Sequence, residues 1–403
     1  MRYLLCSLSN HGMLFPFIGL AQALQRQGHE VAFATGLSME GLLAKAGMTR
    51  IPRGERDGES FLVELSGHPL ETTRQVKHIE YALKRFPADV LVGQQLTLGP
   101  LVAGERQGLP VAVLGLAAYL WPTGALEPSE YQAFVQRRYQ GFLKSFRLTR
   151  YMFGLEPRET GLEDSPLLGD LFLLRSVPQL EGGLESLPQR VHFVGDCLWE
   201  APERDEELER WLKEAQGAGE AILYAQPGRV FNIPGFWSHL AEALEGQPVR
   251  VVASVGRMDE APSQSPANFL VRKHVPQGLV LPYARGVISS STTTAVLGAL
   301  RQGLPLLLIP GGGGGEQEDL ARRCQSAGVT VVLRPSEVSA ESLRQKVREL
   351  LEAEEPQRQA KMLAEAFAQA GGLARAVELL EELARRRGPL LRDEGPGAVA
   401  RPG

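Results

Sequence analysis

The chain has 403 residues, more than one hydrophobic core usually supports, so two domains of roughly 200 residues each are expected. With 43% hydrophobic and 22% charged residues and a net charge of −4, it has the composition of an ordinary globular protein and lacks the basic excess of a general nucleic-acid binder. Three cysteines, Cys6, Cys197 and Cys324, are an odd number without C-x-x-C spacing, so neither a disulfide framework nor a structural zinc site is indicated.

Residues 2–9 read as a first strand, because one positive charge and a short apolar run do not make a signal peptide. No uncharged apolar run reaches the ~18 residues that span a bilayer. A cytoplasmic protein is therefore expected, with peripheral membrane contact left open. A loop at residues 10–16, a helix over 17–27 and a strand over 28–36 follow, a βαβ unit of the kind that builds a parallel doubly wound sheet. Residues 37–54 fit a short helix and a third strand, 55–70 are polar and irregular, 71–86 return to helical period and 89–93 form the next strand. The stretch 117–155 is helix-prone and rich in rings, among them Tyr119, Trp121, Tyr139, Phe142 and Phe146. These either fill the core under helices lying on the sheet or wall an apolar ligand. Residues 178–200, with Val191-His192-Phe193-Val194-Gly195, read as the last strand of the first domain and the start of a crossover.

A charged helix over 204–219 leads to strands at 221–225, 249–254, 269–272, 286–288, 304–309 and 329–333, with helices between and after them up to residue 387. At the fourth of these strands Val287-Ile288 runs into six consecutive hydroxyl residues, Ser289-Ser290-Ser291-Thr292-Thr293-Thr294, and then into a helix. A helix that opens directly after a strand aims its free N–H groups and positive dipole end at one spot, so this junction is an anion site suited to phosphate. The helix and the joint after it have an earlier copy. Residues 98–114 match 293–309 down to an identical Arg-Gln-Gly-Leu-Pro, which in each copy ends a helix at glycine and admits the chain to a buried strand. Two similar α/β domains are implied.

The run Val275-Pro276-Gln277, the hydroxyl loop, Gly303-Leu304-Pro305, Pro310 and Glu316-Gln317 resembles the carboxyl-terminal signature of family 1 GT-B glycosyltransferases, nearest to the bacterial branch that glycosylates macrolides, other natural products and lipids. The opening Gly12-Met13-Leu14-Phe15-Pro16, with Leu20-Ala21, Leu24 and Gly28-His29-Glu30-Val31, resembles the family's Gly-His-x-x-Pro start. The resemblance implies an α/β protein of the GT-B fold, two Rossmann-like doubly wound parallel-sheet domains facing across a cleft. Residues 1–195 would bind the acceptor and 196–370 the nucleotide sugar, with a helix at 371–387 and a disordered tail at 388–403. The implied reaction is metal-independent, inverting transfer of a sugar from a nucleotide diphosphate sugar to an apolar small-molecule or lipid acceptor, without a cofactor or a nucleic-acid partner.

The resemblance also places the site residues. The family's base histidine falls on Met13, its supporting aspartate near Gln94, and its His-Gly-Gly-x-Gly-Thr loop on Ser290-Ser291-Thr292-Thr293-Thr294-Ala295. His11 then becomes the candidate base, or a loop histidine bonded to backbone or water. Donor binding is assigned to Ser290, Ser291, Thr292, Thr293 and Thr294 at the diphosphate. Arg229 is either a guanidinium for phosphate or a solvated loop residue. His274 would stack on the base, Val275 would read its edge, and Gln277 belongs to the same signature. Glu316 and Gln317 would contact sugar hydroxyls, Glu316 also serving as a charge at a helix start. Two other readings stand beside the enzyme: a degenerate GT-B protein that binds a nucleotide, sugar, lipid or partner enzyme without transfer, and a nucleotide-sugar epimerase.

Overall fold

The computed structural model describes residues 1–116, 130–157, 164–182, 187–201, 203–228, 231–256, 265–311 and 316–392. In chain order the elements are β1 (Arg2–Cys6), α1 (His11–Arg26), β2 (Glu30–Ala34), α2 (Glu40–Lys45), β3 (Thr49–Arg50), α3 (Pro69–Leu83), β4 (Val90–Gln94), α4 (Gly99–Gln107), β5 (Val111–Gly115), α5 (Glu130–Met152), β6 (Leu171–Leu174), α6 (Pro178–Glu181) and β7 (Val191–Phe193). There follow α7 (Glu206–Gly217), β8 (Ala221–Ala225), α8 (Phe236–Leu244), β9 (Val249–Ser254), β10 (Phe269–Arg272), α9 (Gln277–Val280), β11 (Gly286–Ser289), α10 (Thr293–Arg301), β12 (Leu306–Leu308), α11 (Glu316–Ser326), β13 (Thr330–Val332), α12 (Ala340–Glu352), α13 (Glu354–Gln369) and α14 (Gly372–Arg386). Two compact units result: Met1–Ser176, Leu184–Trp199 and Gly371–Gly403 in the first, Val177–Gly183 and Glu200–Ala370 in the second.

The first unit is built on a parallel sheet in the order β3-β2-β1-β4-β5-β6-β7, the second on a parallel sheet in the order β10-β9-β8-β11-β12-β13. Renumbered within each unit, the first six strands follow the same order, third-second-first-fourth-fifth-sixth, which is the Rossmann arrangement. The two Arg-Gln-Gly-Leu-Pro joints occupy equivalent places, between α4 and β5 and between α10 and β12. Gly108 and Gly303 have φ of 63° and 69°, a left-handed turn that glycine makes without a Cβ clash.

Strand β1 shows why both faces of the first sheet are covered. Leu4, Cys6 and Leu8 enter one apolar cluster with α3, α4 and α5, whereas Tyr3 and Leu5 enter another with α1 and α14. Tyr139, Phe142 and Phe146 of α5 lie in the first cluster, which decides for core filling at those three rings. Tyr119 and Trp121 lie outside the described residues. Among the described residues no helix is long and apolar enough to cross a membrane.

Three expectations change. The helix predicted from residue 17 starts at His11, because Asn10 takes an extended conformation and its Oδ1 accepts the Gly12 N–H at 2.9 Å. Pro16, expected as the last residue of the loop, therefore lies inside α1. Strand β6, Leu-Phe-Leu-Leu, was not anticipated, since a short apolar run carries no period. Residues 388–392, expected in a disordered tail, fold back on the first unit: Leu390 is buried and its N–H donates to the Asp170 carbonyl at 2.8 Å. The preceding α14 packs Ala376, Val377, Leu380 and Leu383 against α1, with His29 Nε2 at 2.8 Å from Glu381 Oε1.

Two buried histidines of this unit make its stability depend on pH. His78 Nε2–H donates to the Ile51 carbonyl at 2.8 Å and its Nδ1 accepts the Ser60 hydroxyl at 2.8 Å, while His192 Nε2–H donates to the Leu390 carbonyl at 3.0 Å. Burial holds both imidazoles below the ordinary histidine range. A depressed pKa in the folded state means that stability present above the unfolded value of about 6.5 is lost as pH falls through the folded one. Urea denaturation between pH 8 and pH 5 should show stability declining with acid by up to about 1.4 kcal/mol per pH unit for each histidine. The comparison with a His78→Gln, His192→Gln variant isolates the effect, and equal slopes in the two proteins would refute it.

Candidate active site

In open parallel α/β sheets a ligand site forms at the carboxyl ends of the strands where the strand order reverses. In the second unit that place lies at the ends of β8 and β11. The chain leaving β8 is Gln226-Pro227-Gly228 and the chain leaving β11 is Ser290-Ser291-Thr292. The Ser290 hydroxyl is buried and donates to the Pro227 carbonyl, so it ties the two exits together. Gly228 has φ 91°, and a Cβ there would stand 2.6 Å from Thr292 Cγ2. Ser291 is 2% exposed with φ 67°, a left-handed backbone at a non-glycine residue, and its Oγ has no hydrogen-bond partner. Thr292 stands at the N-cap of α10 without capping it through its side chain. Among the described residues no protein acceptor takes the N–H groups of Thr293, Thr294 and Ala295, as the first turn of a helix requires of any anion site.

The other predicted donor residues follow the carboxyl ends of β10 and β12, on the same edge of the sheet. His274 is exposed. Val275 is buried; its N–H donates to Ser254 Oγ at 3.2 Å and its carbonyl accepts the Tyr224 hydroxyl at 2.9 Å. The N–H assigned to reading a base edge is thus engaged inside the unit, and the carbonyl keeps one lone pair. Gln277 is buried against Gly298 of α10 with Oε1 unpartnered, and its N–H and that of Gly278 donate to the Glu200 carboxylate at 3.0 and 2.7 Å. Burial pushes the Glu200 carboxyl up, against the pull of those two bonds. Gln317 Oε1 accepts the Gly311 N–H at 3.0 Å, so this residue steadies the loop after β12, and Glu316 opens α11 half-buried. Arg229 and residues 312–315 lie outside the described residues.

In the first unit the order reverses between β1 and β4. His11 is exposed in the first turn of α1, its ring edge-on to Phe15 at 6.1 Å. Met13 packs on the apolar cluster beneath. Gln94 turns inward: it is buried and its Oε1 accepts the Leu96 N–H at 2.7 Å. Neither Met13 nor Gln94 carries a titratable group, which leaves His11 as the titratable side chain of the β1–α1 turn.

Residues 154–392 match the family model described as "UDP-glucoronosyl and UDP-glucosyl transferase". The chain belongs to this family. Similar proteins include 4'-demethylrebeccamycin synthase of Lentzea aerocolonigenes, 26% identical over 433 residues and covering 95% of this chain and 99% of that one. NDP-glycosyltransferase YjiC of Bacillus subtilis strain 168 is 24% identical over 396 residues, covering 93% and 95%. Among solved structures, spinosyn forosaminyltransferase SpnP has a TM-score of 0.75 at 18% identity, covering 96% of this chain and 99% of that one. Glycosyltransferase VinC in complex with DTDP has a TM-score of 0.72 at 18% identity, covering 96% and 100%. These likenesses carry the GT-B fold, and membership in the family makes the chain a glycosyltransferase that uses a nucleotide sugar as substrate.

In this family 1 glycosyltransferase Ser291 holds a left-handed backbone that glycine adopts without a Cβ clash. A serine there pays about 1–2 kcal/mol in backbone energy and holds a buried hydroxyl without a partner. Ser291→Gly should therefore raise stability by about 1 kcal/mol, read as a higher urea midpoint with unchanged slope. A lower midpoint would show that the hydroxyl has a role the backbone argument misses. The supports that sequence reasoning missed, Glu200, Tyr224 and Ser254, carry no motif; Glu200 acts through two bonds to distant backbone groups, Tyr224 and Ser254 through one each.

Proposed function

We propose that this glycosyltransferase transfers the sugar with inversion and without a metal ion, the second unit holding the nucleotide diphosphate and the first an apolar small-molecule acceptor. The observation that carries the reading is the β11–α10 junction, where three free N–H groups, an unpartnered buried hydroxyl and the positive end of a helix converge after the switch-point strand. As the bond from the anomeric carbon to the diphosphate breaks, negative charge grows on the leaving oxygen, and these groups stabilise it in this reading. The acceptor oxygen forms the new bond to that carbon from the opposite face and gives its proton to His11. Thr292, Thr293 and Thr294 line the diphosphate turn, His274 offers a ring to the base and Glu316 with Gln317 faces the sugar hydroxyls.

The relatives support the substrate classes. The names 4'-demethylrebeccamycin synthase and demethyllactenocin mycarosyltransferase describe tailoring of natural products, and the spinosyn rhamnosyltransferase SpnG has been solved with thymidine diphosphate. A thymidine or uridine diphosphate sugar and a ring-rich aglycone are the proposed substrates. Calorimetry with both nucleoside diphosphates, then mass spectrometry of reactions containing their glucose conjugates and a panel of macrolide and other ring-rich natural-product aglycones, tests this. A glycosylated aglycone is expected. Nucleotide binding without any transfer or donor hydrolysis would replace the enzyme with a binding protein, and no nucleotide binding would remove the donor site altogether.

A further inference from the structure

The two segments that leave β1 and β4 in the first unit are joined through one carboxylate. Glu71, in the first turn of α3, is fully buried. Its Oε1 accepts the Phe61 N–H at 2.5 Å, the Leu62 N–H at 3.2 Å and the Gln75 amide at 3.1 Å, while Oε2 has no partner. Two of these donor residues pass the tie on. The Phe61 carbonyl accepts the Ser9 N–H at 2.9 Å, immediately before Asn10 and His11, and Gln75 Oε1 accepts the Gly99 N–H at 3.0 Å, where α4 begins. Gly99 has no room for a Cβ beside Gln75, so this approach is close. Phe61 is held at φ 64°, a conformation that strains a non-glycine residue and persists only where its surroundings impose it.

A bare carboxylate in a dry interior is costly, and burial pushes the Glu71 carboxyl up despite its three donors. A neutral amide of the same shape can accept the same bonds, so the tie depends on the acceptor oxygen and not on its charge. We propose that Glu71 is a positioning residue of the transfer reaction: through Phe61 and Ser9 on one side and Gln75 and Gly99 on the other, it fixes the exits of β1 and β4 and with them the wall that receives the acceptor. The inference rests on the acceptor assignment made above. Residues 55–70 read in the sequence as irregular and polar, and Glu71 holds their centre at Phe61 and Leu62, beside the Ser60–His78 bond.

The test compares Glu71→Ala, Glu71→Gln and, as a control in the same helix away from the tie, Ile79→Ala. Amide hydrogen exchange of the full chain is followed in peptides covering residues 8–14, 96–101 and 286–301. In Glu71→Ala the first two should exchange about tenfold faster and the third unchanged, Glu71→Gln should restore wild-type exchange, and Ile79→Ala should not loosen those two selectively. With thymidine diphosphate glucose and the aglycone that wild type glycosylates best, kcat should fall about 10–100-fold in Glu71→Ala while the KM for the nucleotide sugar stays within about twofold. Unchanged exchange at 8–14 and 96–101, the same pattern in Ile79→Ala, or wild-type kcat in Glu71→Ala would each overturn the proposal. If Glu71→Ala does not fold, Glu71→Asp, one methylene short of the Phe61 N–H, takes its place with the same expected results. If wild type transfers no sugar, the acceptor assignment fails, the positioning role in transfer falls with it, and exchange still decides whether Glu71 joins the two exits.

Discussion

Replacing His11 with alanine should lower kcat by about 10²–10⁴-fold, the usual worth of a general base, while leaving the affinity for thymidine diphosphate nearly unchanged. Of the two residues weighed for the base position at the start of α1, Met13, packed on the apolar cluster, has no proton chemistry, which leaves His11. His11 stands two residues earlier on the first helical turn, exposed, with Phe15 as its ring neighbour. Because the diphosphate is assigned to the other unit, loss of the imidazole should appear in kcat and in kcat/KM for the acceptor, not in nucleotide binding. Calorimetry beside steady-state kinetics separates the two. Undiminished turnover in the variant would dismiss His11 and leave the acceptor to arrive already ionised.

The second large effect is expected at Gly228. Gly228→Val places a branched side chain where the backbone has φ 91° and where the first added carbon would meet Thr292 Cγ2 at 2.6 Å. Thr292 must give way, and it is the N-cap of α10, so the N–H groups of Thr293, Thr294 and Ala295 move with it. Hydrogen bonds to a charged partner contribute about 1.5–3 kcal/mol each, and misaligning two of them should weaken nucleoside diphosphate binding by about 10²–10⁴-fold. Positive φ at valine also strains the loop, so titration is done on protein whose folding is verified by far-UV circular dichroism. Binding within threefold of wild type would show that the diphosphate does not sit at this turn.

These two sites differ in how far the sequence reveals them. The Ser289–Thr294 run is visible because strand, hydroxyls and helix are adjacent in the chain, yet six hydroxyls in a row look alike. The folded unit separates them: Ser290 is spent on the Pro227 carbonyl, Ser291 takes the left-handed turn, and Thr292 opens the helix. Val275 likewise belongs to a legible signature, but its N–H is engaged by Ser254 and its carbonyl by Tyr224, neither of which is near it in sequence.

What the sequence determined by itself is whatever is encoded over a few neighbouring residues. The βαβ alternation, the two glycine-proline joints and the family signatures are local instructions, set by φ preferences, helix caps and runs of apolar residues, and they suffice for twin Rossmann sheets. What only the tertiary structure decided depends on partners brought from afar. The helix at Gly372–Arg386 has an apolar face that would suit either sheet, and it is packing against α1, with Glu381 beside His29, that assigns it to the first unit. Glu71 reads as an ordinary charge at a helix start until Phe61, Leu62 and Gln75 converge on one of its oxygens. A hydrogen bond is short and directional, so its energy depends on where two groups end up in space, and the order of residues along the chain does not carry that distance.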